Sequence, residues 1–315
     1  MLVTLCGGVG AARMLSGLVR VVPPSSITAV VNTGDDTILH GLHISPDLDT
    51  VTYTLAGMDN RQAGWGVAGE SWTVMEELTR LGGESWFRLG DRDLATHLFR
   101  TERLRTGATL SEVTTEIGAR RHVDVHLLPV TNDPVRTMLT LAEATDLGPA
   151  GTEVGFQDYF VRLHHEVAVR SVRFGGAESA RPAPGVLEAL TRAEQIVVCP
   201  SNPIVSIGPL LAIPGVVAAL TPRRDDIVAV SPIIAGAALK GPADRLMTEL
   251  GTQASVVGVA RLYAPWVGTL VVDEADRAQV AAVEAEGVRC LVAPTIMDTP
   301  ERAETLARRV IDARG

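Results

Sequence analysis

The sequence predicts an α/β fold, a Rossmann-like parallel sheet flanked by helices, with a smaller inserted lobe that contains β-strands. Short apolar runs alternate with segments of helical spacing in the N-terminal third, which is typical of β-α-β units. A glycine-rich turn, residues 7–10, directly follows the first apolar run. A central segment changes to strand-like patterns separated by polar turns, and the α/β alternation then returns.

Length and composition agree with this fold class. The 315 residues are 46% hydrophobic and 21% charged, which excludes global disorder. A chain of this length can bury roughly 75% of its unfolded surface. We expect a Rossmann-like core formed by residues 1–117 and 186–315, and an inserted lobe at residues 118–185.

The N-terminal part predicts two strands and four helices. Residues 2–6 and 27–31 are short apolar runs bounded by turn residues, which favours buried strands. Residues 11–21 carry apolar side chains spaced for one face of a helix. The same spacing recurs at residues 49–55, 73–81 and 91–105.

The second half predicts further strands and a C-terminal amphipathic helix at residues 300–313. The uncharged stretch 204–221 nearly reaches membrane-spanning length, but prolines and glycines interrupt it, which favours a buried loop and helix. Strand-like segments occur in the lobe at 123–131, 156–162 and 167–172, and in the core at 195–199, 227–230, 256–259 and 269–272.

Charge and cysteine content narrow the class of protein. A net charge of -9 is the wrong sign for a partner of duplex nucleic acid. Lys240 is the only lysine, so lysine-based phosphate or Schiff-base chemistry has one candidate. The chain begins without a secretion signal, and Cys6, Cys199 and Cys290 lack disulfide or zinc spacing. We expect a cytoplasmic protein with buried free thiols and no membrane partner.

The glycine-rich turn is a candidate phosphate-binding loop. Gly7, Gly8 and Gly10 lie between a strand and a helix, where backbone N–H groups can approach phosphate oxygens. Arg13 stands where the dinucleotide fingerprint needs its third glycine, and the lysine of a P-loop is missing. The pattern favours a nucleotide or phosphate contact aided by Arg13 over a turn alone.

Four aspartates form the sharpest feature of the sequence. Asp35 and Asp36 directly follow the second predicted strand, and Asp47 and Asp49 follow within a short loop. Carboxylates gathered at one strand end repel one another unless a cation or proton offsets them, and hard oxygen ligands suit Mg²⁺ beside phosphates. Capping of the next helix by Asp47 or Asp49 explains these residues equally well.

Two further polar turns are candidates for ligand contacts. Asp91 and Arg92 begin a predicted helix, where Asp91 can cap and Arg92 offers a planar fork of donors; a solvated face is the alternative. Ser201 and Asn202 follow a strand and place small donors there, although a structural turn is equally compatible. The histidines lack metal spacing, and no Gly-x-Ser-x-Gly motif indicates a serine hydrolase.

Seven short motifs, in their order along the chain, resemble the 2-phospho-L-lactate transferase family of deazaflavin coenzyme biosynthesis, and its bacterial members above all. The resemblance covers most of the chain. The motifs are Gly7-Gly8-Val9-Gly10-Ala11-Ala12-Arg13, Asn32-Thr33-Gly34-Asp35-Asp36, Ser45-Pro46-Asp47-Leu48-Asp49-Thr50, Leu89-Gly90-Asp91-Arg92-Asp93, Pro200-Ser201-Asn202-Pro203, Ser206-Ile207-Gly208 and Ser231-Pro232-Ile233-Ile234.

The resemblance implies transfer of a phosphoenolpyruvyl or 2-phospholactyl group to the terminal ribityl hydroxyl of 7,8-didemethyl-8-hydroxy-5-deazariboflavin (Fo). The donor would be a guanosine diphosphate derivative, GMP would leave, and Mg²⁺ would be the cofactor of a homodimer in coenzyme F-420 biosynthesis.

Roles for this chain's residues follow from the resemblance and the motifs together. Catalysis is assigned to Asp36, Asp47 and Asp49, and deazaflavin binding to Asp49, Asp91 and Arg92. Metal binding is assigned to Asp35, Asp36, Asp47 and Asp49, and nucleotide binding to Gly7, Gly8, Gly10, Arg13, Ser201 and Asn202.

Two other functions compete with this one. A related family of the same fold binds a UDP-sugar without turning it over, but it has a glycine- and serine-rich continuation after its Asp-Asp pair. Here Asp35-Asp36 is followed by Thr37-Ile38-Leu39, which disfavours that regulator. An NAD-linked oxidoreductase is disfavoured by the broken fingerprint at Arg13. Whether the donor carries a lactyl, enolpyruvyl or glyceryl acid stays open, because such discrimination depends on pocket shape.

Overall fold

The structure, a computed structural model, describes residues 1–60 and 65–313. Within these residues the strands are β1 (Leu2–Cys6), β2 (Ile27–Val31), β3 (Thr37–Leu39), β4 (Leu42–Ile44), β5 (His126–Pro129), β6 (Arg136–Leu141), β7 (Glu153–Gly155), β8 (Val169–Gly175), β9 (Gln195–Val198), β10 (Ile227–Val230), β11 (Ile233–Ile234), β12 (Ala237–Ala238), β13 (Thr269–Val272) and β14 (Arg289–Val292).

The helices in the same residues are α1 (Gly8–Leu18), α2 (Pro46–Leu55), α3 (Thr73–Arg80), α4 (Asp91–Arg105), α5 (Leu110–Arg120), α6 (Val186–Arg192), α7 (Gly208–Ala212), α8 (Val216–Leu220), α9 (Ala243–Glu249), α10 (Val256–Tyr263), α11 (Val280–Ala285) and α12 (Pro300–Ile311).

The predicted parallel sheet with flanking helices is confirmed. Seven strands of the described chain pair in the order β14-β13-β10-β9-β1-β2-β5, and every pairing is parallel. The chain builds outward from β1 through β2 to β5, then returns to place β9 on the other side of β1. The strand order therefore reverses between β1 and β9, and ligands of open α/β sheets bind outside the carboxyl ends at such a reversal.

Apolar residues cover both faces of the main sheet, as the near-continuous hydrophobic strands require. Alternate residues of β1 point to opposite layers, Val3 and Leu5 to one and Leu2 and Cys6 to the other. Helices α6, α7, α8 and α10 pack in the first layer, and α1, α2, α5 and α12 in the second. The main sheet is therefore sealed on both faces, and its polar groups gather at the strand ends.

The inserted region carries its own antiparallel sheet in the order β7-β6-β8. This sheet occupies Arg136 to Gly175, whereas β5, also inside the predicted 118–185 range, pairs with β2 of the main sheet. The predicted strand at 156–162 is wrong, because Asp158–Arg162 is a π-helical turn. Its Tyr159 is completely buried among apolar residues and Phe156 and Phe160 pack against the same cluster, so burial rather than strand pairing explains the aromatic residues.

A second predicted strand, at 256–259, is also wrong, since these residues open helix α10. The Ser255 hydroxyl accepts the N–H of Gly258 at 3.1 Å and caps this helix. The helix is apolar on nearly all sides, and a short apolar run of that kind cannot be distinguished from a buried strand by its periodicity.

The uncharged stretch 204–221 forms a buried turn and short helices, as predicted. Its apolar side chains belong to the main core. In the described residues no single helix is long and apolar enough to cross a membrane, and one pair bent by 90°, Pro203–Ala212 with Val216–Asp226, passes by length and composition only. The three cysteines are free and buried, as predicted.

Gly10 packs against the backbone that follows β9, and a phosphate contact by this residue stays a prediction. A Cβ atom at Gly10 would lie 2.0 Å from the carbonyl oxygen of Pro200, too close for any side chain. Helix α1 therefore rests directly on the backbone that follows β9. The close approach of two backbones, rather than ligand access, is what requires glycine at this position.

We predict that Gly10→Ala lowers the melting temperature substantially, because the backbone contact with Pro200 has to open. Gly118→Ala is the matched control, since Gly118 lies within α5 with no atom within 4 Å of its added Cβ. The control should stabilise the protein by roughly 0.5–1 kcal/mol through helix propensity. Thermal unfolding monitored by circular dichroism measures both, and equal melting temperatures for the two variants would contradict the packing role.

Candidate active site

The candidate site lies at the carboxyl ends of β1, β2 and β9. Gly7 follows β1, and its N–H donates to the buried Ser201 hydroxyl at 3.3 Å, so the turns after β1 and β9 are joined. A Cβ atom on Gly7 would lie 2.6 Å from that of Ser206. Gly8 has a φ of 69°, in the left-handed region that favours glycine. The glycine turn therefore sits in the crevice where the strand order reverses.

Asp47 occupies the space in front of this glycine turn. A Cβ atom on Gly7 would lie 3.1 Å from its Oδ2 atom, and one on Gly8 would lie 3.8 Å from its Oδ1 atom. The Gly8 N–H donates a hydrogen bond to the Asp47 carboxyl. Asp47 thus faces the N-terminus of α1, whose partial positive charge favours a carboxylate there. The glycines allow this approach, and phosphate binding by Gly7 and Gly8 stays a prediction.

Three carboxyl groups converge beside the glycine turn, those of Asp35, Asp36 and Asp47; Asp35 and Asp47 are buried, and Asp36 is partly buried. The Asn32 amide donates to Asp47 Oδ2 at 2.9 Å, and the Ser45 hydroxyl donates to Asp36 Oδ2 at 2.7 Å. In the described part of the chain, Oδ1 of Asp35 and Oδ1 of Asp36 are buried without any hydrogen-bond partner. Two hard oxygen ligands are therefore free inside the cluster.

The pKa values of this carboxylate cluster are raised. Burial raises the pKa of Asp36 to about 8, against the opposing effects of the Ser45 hydrogen bond and the Arg100 charge. Burial also raises the pKa of Asp47 to about 6. The pKa of Asp35 lies well above its ordinary value because of burial and the neighbouring Asp47 and Asp36 carboxyls. Such a cluster retains protons unless a cation replaces them, so its donor set fits a divalent metal ion.

The inserted lobe contacts the turn after β2, which carries Asp35 and Asp36. The Thr137 N–H, on β6, donates to the Gly34 carbonyl at 2.7 Å. The Gln157 side chain donates to the Asp35 carbonyl at 3.1 Å. Both contacts join the lobe to the turn after β2, so the lobe forms one wall of the site.

Asp49 has a different environment from the other three aspartates. It lies one helical turn inside α2 and binds both terminal nitrogens of the buried Arg100, with Oδ2 3.1 Å from Nη1. Within the described residues Asp49 also groups with Asp93 and His97 at distances compatible with metal ligands. Arg100 contacts both Asp49 and His97, so a guanidinium cation already offsets this second acidic group.

The residues that surround Asp49 are not among the predicted site residues. Asp93, His97 and Arg100 line one face of α4 at spacings of four and three, and Tyr53 lies one turn after Asp49 on α2. The Tyr53 hydroxyl donates to Asp93 Oδ1 at 2.6 Å. The spacing of these residues on α4 is a signal of a shared helix face. Which side chains of α2 they contact is set by the tertiary fold, because the two helices are separated by about forty residues.

Asp91 and Arg92 contact a neighbouring segment. Asp91 accepts the Ser71 hydroxyl at 2.6 Å and the N–H groups of Thr73 and Val74, so it caps α3 rather than its own helix. The Arg92 side chain donates to the Ala68 carbonyl at 2.6 Å. Both side chains are exposed at the start of α4, and deazaflavin binding by them stays a prediction.

The remaining predicted nucleotide ligands divide between two places. Ser201 lies in the site beside Gly7, whereas Asn202 Oδ1 accepts the N–H groups of Ile204 and Val205 and caps the turn that follows. Arg13 lines a cleft of about 130 Å³ between α1, α2 and the start of α12, together with residues such as Thr50 and Asp298. The structure thus brings Gly7, Gly8 and Ser201 to the carboxyl cluster and places Arg13 in a cleft that Val9 and Thr50 also line.

A carboxyl cluster at the strand reversal of a parallel sheet is a ligand site typical of a Rossmann-like α/β protein. A family model described as "2-phospho-L-lactate transferase CofD" matches residues 2–313. The chain belongs to this family and is a transferase.

Relatives of similar length support this membership. A phosphoenolpyruvate transferase of Kitasatospora aureofaciens is 44% identical over 98% of this chain and 96% of its own. Phosphoenolpyruvate transferases of Streptomyces griseus and Thermobifida fusca are each 42% identical over 99% of this chain and 97% of their own. A crystal structure of a UPF0052 family member from Bacillus halodurans matches with a TM-score of 0.62 at 17% identity, covering 98% of each chain, which shows a shared fold.

We predict that Asp36→Asn stabilises the metal-free protein at pH 8 more than at pH 5. The folded wild type keeps a proton on Asp36 up to about pH 8, whereas the unfolded chain releases it near its ordinary pKa. The folded state therefore binds more protons in this window, and stability falls as pH rises. Asparagine removes that loss, roughly 1–3 kcal/mol.

Thermal unfolding with and without Mg²⁺ at both pH values tests this prediction. Mg²⁺ should stabilise the wild type and have less effect on Asp36→Asn, because one ligand oxygen is lost. Asp225→Asn is the matched control, since the Asp225 side chain is 97% exposed. Parallel pH profiles for the wild type and Asp36→Asn would show that Asp36 does not carry this titration.

Proposed function

We propose that this protein transfers a phosphoenolpyruvyl group from a guanosine-diphosphate-linked donor to the terminal ribityl hydroxyl of Fo, with release of GMP. The observation that carries the proposal is the buried carboxyl cluster at the strand reversal, with two free oxygens, in a chain of this family. The relatives named phosphoenolpyruvate transferases favour the enolpyruvyl group over the 2-phospholactyl group of the family description. The reaction belongs to coenzyme F-420 biosynthesis.

The reaction forms one bond and breaks one. The ribityl oxygen bonds to the phosphorus that carries the enolpyruvyl group, and the bond from this phosphorus to the GMP oxygen breaks. GMP leaves with that electron pair. The hydroxyl proton passes to a carboxylate, for which Asp36, Asp47 and Asp49 are the candidates. The pKa of Asp47, about 6, suits a base that works near neutral pH.

Asp35, Asp36 and Asp47 are the residues that would hold Mg²⁺. Their fit rests on the two unpartnered oxygens and on raised pKa values that indicate uncompensated negative charge. The bound ion would offset the charge of the diphosphate. Arg100 already neutralises Asp49, which leaves Asp49 for the acceptor half of the site.

The nucleotide and the acceptor occupy two halves of the site in this proposal. Gly7, Gly8 and Ser201 lie at the strand reversal, the crevice in which ligands of open α/β sheets bind, and this half of the site would take the guanosine diphosphate. Asp49 and the start of α4, with Asp91 and Arg92, would receive Fo. The proposal includes a homodimer, which the resemblance of the motifs to the family implies, and a cytoplasmic location, with which the buried free thiols agree.

Mass spectrometry of the product tests the proposed reaction. Purified protein is incubated with Fo, Mg²⁺ and guanosine-diphosphate-linked donors that carry enolpyruvate or 2-phospholactate. We expect GMP and the phosphoenolpyruvyl ester of Fo from the first donor, faster than product from the second. Excess chelator should stop turnover, and added Mg²⁺ should restore it. Absence of a phosphorylated Fo product with either donor, or full activity in chelator, would contradict the proposal.

We predict that Arg92→Ala weakens Fo binding about tenfold to a hundredfold and leaves GDP binding unchanged, as expected for loss of one charge-assisted contact. Calorimetric titration with each ligand measures both affinities. Arg105→Ala is the control, because Arg105 is an exposed residue at the other end of α4. Loss of GDP binding with retained Fo binding would place the nucleotide, rather than the deazaflavin, at this helix start.

A further inference from the structure

We infer that Arg100 is a positioning residue that fixes the Asp49 carboxylate for the acceptor, an inference that rests on the proposed function. Arg100 lies on the second helical turn before the end of α4 and is 2% exposed. It joins α4 to α2 through Asp49 and to the strand β4 through His43. None of the sequence motifs contains it.

The guanidinium plane holds Asp49 by two parallel contacts. Nη1 donates to Oδ2 at 3.1 Å, and Nη2 donates to Oδ1. A bidentate pair of this kind fixes the orientation of the carboxylate as well as its charge. Since guanidinium is charged at all relevant pH values, Asp49 faces a permanent cation.

The same Nη1 atom of Arg100 also contacts a histidine of α4. Nη1 lies 3.2 Å from His97 Nδ1, and since a guanidinium has no acceptor, Nδ1 is the acceptor in any hydrogen bond between them. His97 Nε2 lies 3.2 Å from Asp93 Oδ1, which also accepts the Tyr53 hydroxyl. A continuous buried chain of contacts therefore runs from Tyr53 through Asp93, His97 and Arg100 to Asp49.

Arg100 also touches the segment that supports the carboxyl cluster. Nη1 lies 3.3 Å from the His43 carbonyl oxygen, two residues before Ser45. The Ser45 hydroxyl in turn donates to Asp36 Oδ2. One buried cation thus joins the acceptor aspartate to the backbone beside the metal-binding candidates.

This geometry favours positioning over a second metal ion at Asp49, Asp93 and His97. Those three residues have the separation that a metal ion needs. A guanidinium bound to both oxygens of Asp49 and to His97 Nδ1 already supplies the positive charge at that place. Bringing in a dication would add like charge beside an arginine that cannot lose its proton.

A double-mutant cycle on Fo affinity tests the inference. The variants are Arg100→Gln, Asp49→Asn and the two combined, with Fo dissociation constants read from quenching of deazaflavin fluorescence. Each single variant should weaken Fo binding about tenfold to a hundredfold. The double variant should bind within about threefold of the weaker single variant, because both changes remove the same contact. Arg105→Gln is the control on the exposed side of α4.

Two further readouts distinguish positioning from loss of structure. Arg100→Gln should raise KM for Fo and lower kcat, while KM for the donor stays at its wild-type value and Mn²⁺ affinity, measured by electron paramagnetic resonance, is not weakened, since the Arg100 charge lies near Asp36. Arg100→Lys should recover part of the Fo affinity, since it keeps the charge and loses the bidentate geometry. If Arg100→Gln shows no cooperative unfolding transition, Arg100→Lys takes its place in the cycle.

The outcomes separate this inference from the proposed function. Single effects that multiply in the double variant, or an unchanged Fo affinity in Arg100→Gln, would overturn the positioning role while wild-type transfer upholds the proposed reaction. Equal losses of Fo, donor and Mn²⁺ binding in Arg100→Gln would assign Arg100 to structure alone. Failure of the wild type to bind and modify Fo would overturn the proposed function and this inference with it.

Discussion

The gathering of four aspartates at one end of a parallel sheet, with three buried and Asp36 partly buried, is the constraint on which the rest of the structure depends. Removing a carboxylate from water costs several kcal/mol unless a partner of opposite charge or several donors replace the solvent. Asp49 has such a partner in Arg100. Neutral hydrogen-bond donors replace only part of the solvent around Asp35, Asp36 and Asp47, and the pKa values of these groups are raised as a result. We infer a functional role for this cluster, because ionisable groups with shifted pKa values concentrate at functional sites.

The surrounding elements can be understood as the support for this arrangement. The glycine turn brings α1 close enough for Asp47 to meet its N-terminus, and contact with the backbone of Pro200 holds the helix there. The inserted lobe binds the turn after β2 through Thr137 and Gln157. Since apolar layers cover both faces of the sheet, the strand ends are where polar groups can gather. Core, lobe and helix α4 each contribute one wall.

Strong local patterns carried much of the fold prediction. The strands β1, β2, β9, β10 and β13 are short apolar runs next to glycine or proline turns, and α2, α3, α4 and α12 begin close to their predicted positions. The failure at 156–162 is a segment of mixed polarity in which Tyr159 is buried, and the failure at 256–259 is an apolar segment buried on most sides. Periodicity cannot decide between strand and helix in such a segment, because every side of it is hydrophobic.

For the site, the sequence by itself determined the order of its motifs, the four aspartates at the end of a strand and the resemblance to a family of transferases. Only the tertiary structure decided that Asp49 separates from the other three, that Gly10 packs against Pro200, and that Arg100 joins α2 to α4. Local sequence specifies which residues follow a strand, since that depends on neighbours along the chain. Which cation neutralises a buried carboxylate depends on which helices pack together, and Arg100 lies 51 residues from Asp49 along the chain.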